Sequence, residues 1–389
     1  MLRSAGGASQ GFGQNEGMKL RAGLLALLHA SQVFAQTPSV PPRAAAPLIR
    51  DLVSPSTGDA AFPQLASDGR GGVYMTWLET LGEGRGHRLR ISHRGSAGAF
   101  ETPVTVYEGL DFWPNWADFP GLGVFPDGSV MAHWLARSGD STYDYDIRAA
   151  ISRDQGRTWG PSFLVNTDGV KAEHGFVSYA PTKDGLGVLW LDGRATKASS
   201  GGHEEHAAGP GAMTLRFAEF GSDGKRLRES LVDTRVCDCC QTAVVSTPRG
   251  LLAAYRDRSD DEIRDISLVR PESSQAAARP LAVDGWKIKA CPVNGPALHA
   301  RGDRVAAAWF TMAGDKPRVR FAVSSDAGES FSAPVDLDAS APLGRIGAAL
   351  LSKGDALVAW VVRVGEGQAE MRAARVKPGE APRVFPVAP

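Results

Sequence analysis

Four cysteines are the most unusual chemistry in this chain. Three stand within four residues, in Cys237-Asp238-Cys239-Cys240-Gln241-Thr242, and the fourth opens Cys291-Pro292-Val293-Asn294-Gly295-Pro296; there is no other cysteine. Thiolates gathered in this way bind soft ions, Cu(I) or Zn(II), although the spacing matches no standard zinc module. In an exported protein the same four residues suggest disulfides. A Cys239–Cys240 bridge would be a strained vicinal one, so a bridge from the cluster to Cys291 is the easier to build. A catalytic thiol is the third alternative.

A second set of residues sets arginines beside acids. Leu191-Asp192-Gly193-Arg194 and Tyr255-Arg256-Asp257-Arg258 are alike, and Arg345 follows later. Arg194, Arg256, Arg258 and Arg345 could grip an anionic ligand through bidentate bonds, with Asn294 as a further polar contact. Asp192, Asp257 and Glu79 are the candidate acid/base groups. The competing reading is structural Arg–Asp pairing. His203-Glu204-Glu205-His206 offers a His-x-x-His pair for a metal, or is simply a solvated polar loop. It is not His-Glu-x-x-His, which excludes a zinc-protease reading. His174 is either a ligand or a hydrogen-bonded core histidine.

The elements that must position these groups form a repeat. A short strand, a Gly-rich turn and an apolar strand ending in an aromatic recur, with markers at Trp77, Trp134, Trp190, Tyr255, Trp309 and Trp360. Their spacing of about fifty to sixty-five residues is that of a four-stranded propeller blade. The turns before the markers repeat too, as in Ser67-Asp68-Gly69 and Pro126-Asp127-Gly128. Runs such as Val305-Ala306-Ala307-Ala308-Trp309 suit strands buried on both faces. Six markers predict an all-β, six-bladed β-propeller with four-stranded antiparallel blades over 61–106, 112–166, 173–233, 238–284, 290–337 and 343–386. In such a fold the loops leading into each blade share a face with the loops after its second strand. That face carries Gln64, Asn115, Trp116, His174, the four cysteines and the candidate arginines, around the mouth of the central channel.

Ser152-Arg153-Asp154-Gln155-Gly156-Arg157-Thr158-Trp159 reads Ser-x-Asp-x-Gly-x-Thr-Trp, and Ser324-Ser325-Asp326-Ala327-Gly328-Glu329-Ser330-Phe331 nearly repeats it. The aspartate can accept bonds from its own turn and the glycine permits a positive φ. Here the chain resembles the Asp-box (BNR-repeat) proteins of the sialidase superfamily. The resemblance implies a six-bladed propeller, with each box on the face away from the active site. It also implies exo-alpha-sialidase-type chemistry: three arginines on the substrate carboxylate, a Tyr nucleophile assisted by Glu, and an Asp acid/base. The chain departs from that pattern. Ala61-Phe62-Pro63-Gln64 lacks the family's first arginine, and no tyrosine follows Tyr255. Tyr255-Arg256-Asp257-Arg258, Glu262-Ile263-Arg264-Asp265 and Cys291-Pro292-Val293-Asn294-Gly295-Pro296 resemble exported bacterial proteins described as sialidase-like.

Composition sets further bounds. Net charge is zero over 389 residues, which argues against a nucleic-acid partner, and the mixed short charge runs argue against a polybasic membrane patch. Met18-Lys19-Leu20-Arg21, the apolar run 22–30 and Val33-Phe34-Ala35 read as a secretory signal peptide over residues 1–35, with Met18 as an alternative start. The apolar run is too short to span a bilayer. Residues 36–60 read as a Pro/Ala-rich linker and lead-in, and 61–389 as the propeller. The expectation is an exported, periplasmic or secreted monomer that binds and hydrolyses an anionic glycan and needs no cofactor. The alternatives are a non-enzymatic propeller holding Cu(I) or Zn(II) on its thiolates, and a structural or partner-binding propeller.

Overall fold

The structure, a computed structural model, describes residues 49–197, 211–273 and 277–388. The proposed signal peptide and His203–His206 lie outside them. Six four-stranded antiparallel sheets follow one another along the chain, over residues 60–109, 121–164, 174–233, 243–280, 297–338 and 342–388, and every sheet pairs its strands in sequence order. This is the expected six-bladed β-propeller. Among the described residues, helix is confined to one turn, Arg194–Lys197, and a 3-10 turn at Ala313–Asp315. No helix among the described residues is long and apolar enough to cross a membrane.

The six aromatic markers sit on the second strands and are all at most 1% exposed. Burial of such large rings between blades is the main apolar contribution to the fold. Five hydrophobic clusters fill the five seams between consecutive blades. Among the described residues the seam between the sixth and first blades carries no comparable cluster.

Five of the six markers also bond a carboxylate. Trp77 Nε1 donates to Glu79 (2.9 Å) and Trp190 Nε1 to Asp192 (2.9 Å). Trp309 donates to Asp284 (2.7 Å), Trp360 to Asp338 (2.7 Å), and the Tyr255 hydroxyl to Asp233. A buried indole N–H left without an acceptor costs about 1–3 kcal/mol, so these carboxylates hold each marker in place.

The two Ser-x-Asp-x-Gly turns close themselves as their residues predict. Asp154 Oδ1 accepts from Thr158 N (2.8 Å) and Ser152 Oγ (2.7 Å), while Ser152 Oγ accepts from Gly156 N (2.7 Å). Asp326, Ser324, Gly328 and Ser330 repeat the pattern. Gly156 has φ 91° and Gly328 φ 88°, values that disfavour a side chain. Both turns join the third and fourth strands of their blades, so the up-and-down topology sets them on the face opposite the lead-in loops.

Candidate functional site at the channel mouth

The first strands of consecutive blades pack beside one another around the channel. The loops that lead into them therefore converge on one mouth. The blade entries there are strained: Phe62, Phe176 and Arg345, within the first half of first strands, and Val293, just before one, have φ between 49° and 59°. Positive φ at a bulky non-glycine residue is held only where the surrounding structure over-determines it, and such residues cluster at functional sites.

The cysteines do converge. The sulfurs of Cys237, Cys239 and Cys240 lie within 4.8 Å of one another, with Cys237 and Cys240 at 3.5 Å. Cys239 also hydrogen-bonds Cys291, so both cysteine loops meet at one point. Cys237 and Cys240 are buried and Cys291 is exposed. Arg264 Nη1 lies 3.3 Å from Cys237 Sγ.

Most of the candidate arginines are occupied by the protein itself. Arg194 bonds Asp192 twice (2.7 Å each) and approaches Asp168 at 3.2 Å and Glu229 at 3.7 Å. Arg256 is 2% exposed and donates to the carbonyls of Asn294, Arg264 and Phe310, with its guanidinium 4.8 Å from the Trp286 ring centre. Arg258 is divided between Glu262 (2.7 Å) and Asp238 (3.2 Å). Asn294 braces the fifth blade against the sixth: Nδ2 donates to Leu343 O (3.1 Å) and Oδ1 accepts from Arg345 N (3.0 Å). Arg345 differs. It is exposed and lies 4.2 Å over the half-exposed ring of Trp116. An exposed cation–π contact of this kind contributes about 0.5–1 kcal/mol.

The candidate acids are occupied as well. Glu79 accepts from Trp77 and Arg88, and Asp192 from Trp190 and Arg194. In both, burial opposes the charge but the hydrogen bonds and cations outweigh it, so the pKa is lowered. Asp257 accepts from Ser267 Oγ (2.9 Å) and Arg258 N (2.7 Å), and burial raises its pKa. His174 is fully buried in an ion-pair network. Its Nδ1 meets the carbonyls of Ala172 (3.0 Å) and Tyr145 (3.1 Å), and its Nε2 faces Asp168 (3.2 Å) and Asp192 (3.7 Å).

A second set of acids emerges from the folded chain. Asp118, Glu173 and Asp238 stand at the lead-ins of the second, third and fourth blades. Glu173 Oε1 accepts from the buried Tyr145 hydroxyl (2.8 Å), whose ring stacks on Trp113 with centres 4.2 Å apart. Asp118 Oδ1 accepts from Phe176 N (2.7 Å), and its Oδ2 lies 3.5 Å from the Tyr145 hydroxyl. A Cβ at Gly175 would come within 1.7 Å of Asp118, so only glycine fits there. Burial, with Asp238 adding to it, raises Glu173 to about 7 against the opposing bond from Tyr145. Burial holds Asp118 well above the carboxylate range. None of the three was singled out by the sequence, yet each lies within two residues of a predicted mouth position: Trp116, His174 or Cys237. An acid in that place at three consecutive lead-ins was the available signal.

A groove of about 510 Å³ lies on the opposite face, lined by Arg153, Thr158, Trp159, Phe163 and Asp223. It gathers no comparable cluster of perturbed acids, so the mouth is the stronger candidate.

No protein-family model matches the chain, and no curated protein is similar to it in sequence. Solved structures do resemble it. The BP39L lectin from Burkholderia pseudomallei matches at a TM-score of 0.53 and 13% identity, over 86% of this chain and 84% of the lectin. The alpha-L-arabinofuranosidase Arb93A from Fusarium graminearum matches at 0.52 and 14%, over 83% of this chain and 94% of that enzyme. A Hadza microbial sialidase matches at 0.46 and 14%, over 78% of this chain and 66% of its own length. At these identities the likeness is one of fold.

Proposed function

We propose that this propeller binds an anionic glycan at the lead-in face of its channel and hydrolyses it, as an exported, sialidase-like protein. The observation that carries the reading is Glu173. It is a half-buried carboxyl raised to about 7, held in place by Tyr145 and set near a second carboxylate, Asp238. A carboxyl that keeps its proton near neutrality can protonate a glycosidic oxygen, while a neighbouring ionised carboxylate receives the developing positive charge or activates water. Burial raises Asp238, but Arg258 at 3.2 Å and Arg264 draw it back toward the ionised form, which suits it to that role better than Glu173. Trp116 offers a ring for a sugar face. Arg345, over that ring and within electrostatic range of Cys240, offers its charge to an acidic group. The neighbouring lectin and arabinofuranosidase folds support a carbohydrate ligand. The occupied state of Arg194, Arg256 and Arg258 moves anion recognition from those residues to Arg345.

The test is turnover of chromogenic sialosides, uronides and arabinosides, with glycan-array binding alongside. Glu173→Gln should lower kcat at least about 100-fold and abolish an alkaline limb near pH 7. Trp116→Ala should raise KM with little change in kcat. Absence of both turnover and glycan binding by the intact protein defeats the reading, as does a Glu173→Gln enzyme of undiminished rate.

A further inference from the structure

We propose that Cys237, Cys239, Cys240 and Cys291 form a binding site for one soft d10 metal ion, copper(I) in preference to zinc(II), at the lead-in face between the fourth and fifth blades. Its ligands are not residues of the glycan reading, although Asp238 lies between two of them and Arg345 is within electrostatic range of Cys240.

The first argument is geometric. Metal–sulfur bonds of about 2.3 Å place the sulfurs of a tetrahedral or trigonal site roughly 3.8–4.0 Å apart. The sulfurs of Cys237, Cys239 and Cys240 already lie within 4.8 Å of one another, the nearest pair at 3.5 Å. Cys291 reaches the same point through Cys239. Little backbone movement separates this arrangement from a coordination shell.

The second argument is the charge beside the sulfurs. Arg264 Nη1 lies 3.3 Å from Cys237 Sγ, and the Arg264 side chain is only 4% exposed. Two disulfides, Cys237–Cys240 and Cys239–Cys291, would use the same four residues. A disulfide is neutral, however, and would leave Arg264 Nη1, beyond its pairs with Glu262 (2.9 Å) and Asp238 (3.6 Å), turned toward sulfurs that carry no charge. A metal held by three or four thiolates carries net negative charge, which the guanidinium balances. Glu262, at 2.9 Å from Arg264, fixes the direction of that donor, as outer partners of a metal site do.

The third argument concerns the ion. Val236 is fully buried in the core cluster between the third and fourth blades, and Cys239 and Val293 pack against that cluster. The pocket is thus apolar and closed behind the sulfurs, which suits an ion that needs no water ligand. Three sulfurs gathered within 4.8 Å match the low coordination of a soft monovalent ion, which thiolates bind tightly. Exposed Cys291 gives an incoming ion a first contact before it reaches the buried trio. Each thiol that binds releases its proton, so affinity should rise with pH.

The test uses the full exported chain, reduced under anaerobic conditions and titrated with Cu(I) buffered by a chromogenic chelator, then separately with Zn(II). One Cu(I) per chain, a near-UV thiolate-to-copper absorbance band and tighter retention of Cu(I) than of Zn(II) are expected. Cys291→Ser alters an exposed residue and should keep its fold by circular dichroism while losing at least tenfold in Cu(I) affinity. Cys237→Ser should lose the site; where it fails to fold, Cys291→Ser still decides. Three results overturn the proposal. The first is a freshly isolated protein whose mass lacks the four thiol protons and whose reduced form takes up no ion. The second is tighter retention of Zn(II) than of Cu(I). The third is a Cys291→Ser protein that binds Cu(I) as tightly as the parent.

Discussion

Replacing Asp154 with alanine tests whether the Ser-x-Asp-x-Gly turn is a structural corner remote from the ligand. The carboxylate accepts three bonds: from Thr158 N (2.8 Å), Thr158 Oγ1 (2.6 Å) and Ser152 Oγ (2.7 Å). The side-chain and backbone bonds from Thr158, then the bond from Ser152, hold its pKa at about 2 against the ordinary 3.8. Such a shift corresponds to roughly 2.5 kcal/mol in favour of the ionised folded form. Solvent screening of a partly exposed turn reduces that to about 1 kcal/mol. Loss of the acceptor for the Thr158 N–H adds about 0.5–1 kcal/mol. Asp154→Ala should therefore cost about 1–2 kcal/mol at pH 7, read from urea unfolding. Because the folded pKa is depressed, the charge-linked part is present above about pH 4 and disappears as pH falls through 2; by pH 3 about half of it should be gone. Glycan affinity should be unchanged, since the turn lies on the opposite face. A cost below about 0.3 kcal/mol, a cost that grows on acidification, or lost binding at unchanged stability would refute the placement.

Two further outcomes follow from the mouth. Arg256→Leu should destabilise the fold by roughly 3 kcal/mol or more in urea unfolding, because three buried carbonyls lose their donor; a cost under about 1 kcal/mol would deny Arg256 its bracing role. Burial disfavours a charged His174, but Asp168 and Asp192, helped by the Tyr145 carbonyl, outweigh it and raise the pKa, with Asp146 and Arg194 also in the network. Its contribution is therefore complete below about pH 6.5 and is lost as pH rises through the raised value, so the stability advantage over His174→Gln should shrink as pH rises above about 6.5. An advantage that widens with pH would reverse that sign.

The fold was legible because its period is written in large residues. Each marker is a ring that only an inter-blade seam can bury, and the second strands that carry the markers are near-continuous apolar runs. The lead-in of the second blade was less legible. Its first strand begins at Gly121 rather than near residue 112, so Trp116 and Asp118 belong to the loop over the mouth. The carboxylates two residues after Trp77 and Trp190 were visible as a pattern, and their chemistry suggested acid/base work. The folded chain shows the partner that spacing concealed, since at i, i+2 the carboxylate of Glu79 or Asp192 reaches the indole N–H of its own strand's tryptophan. The same clamp at Trp309 and Trp360 uses Asp284, from the loop after the fourth blade's last strand, and Asp338, from the fifth blade's last strand, which sequence proximity could not reveal.

What remained hidden at the mouth is the distribution of charge. Asp118, Glu173 and Asp238 are far apart in the chain and become neighbours because three successive lead-ins turn toward one channel. Whether such acids ionise depends on which of them receives a cation. Arg258 and Arg264 bond Glu262 and reach Asp238, and Arg194 is taken by Asp192 and Asp168. Glu173 is left with a tyrosine hydroxyl and the more distant His174, too little to offset its burial and the charge of Asp238. Arg194, Arg258 and Arg264 thus hold Asp168, Asp192 and Glu262 in their ionised forms. Glu173 and Asp118 have no such partner, and burial raises both, Glu173 to about 7. A protonated Glu173 with the arginine-paired Asp238 near it is the asymmetry that the proposed acid/base cleavage of a glycosidic bond requires.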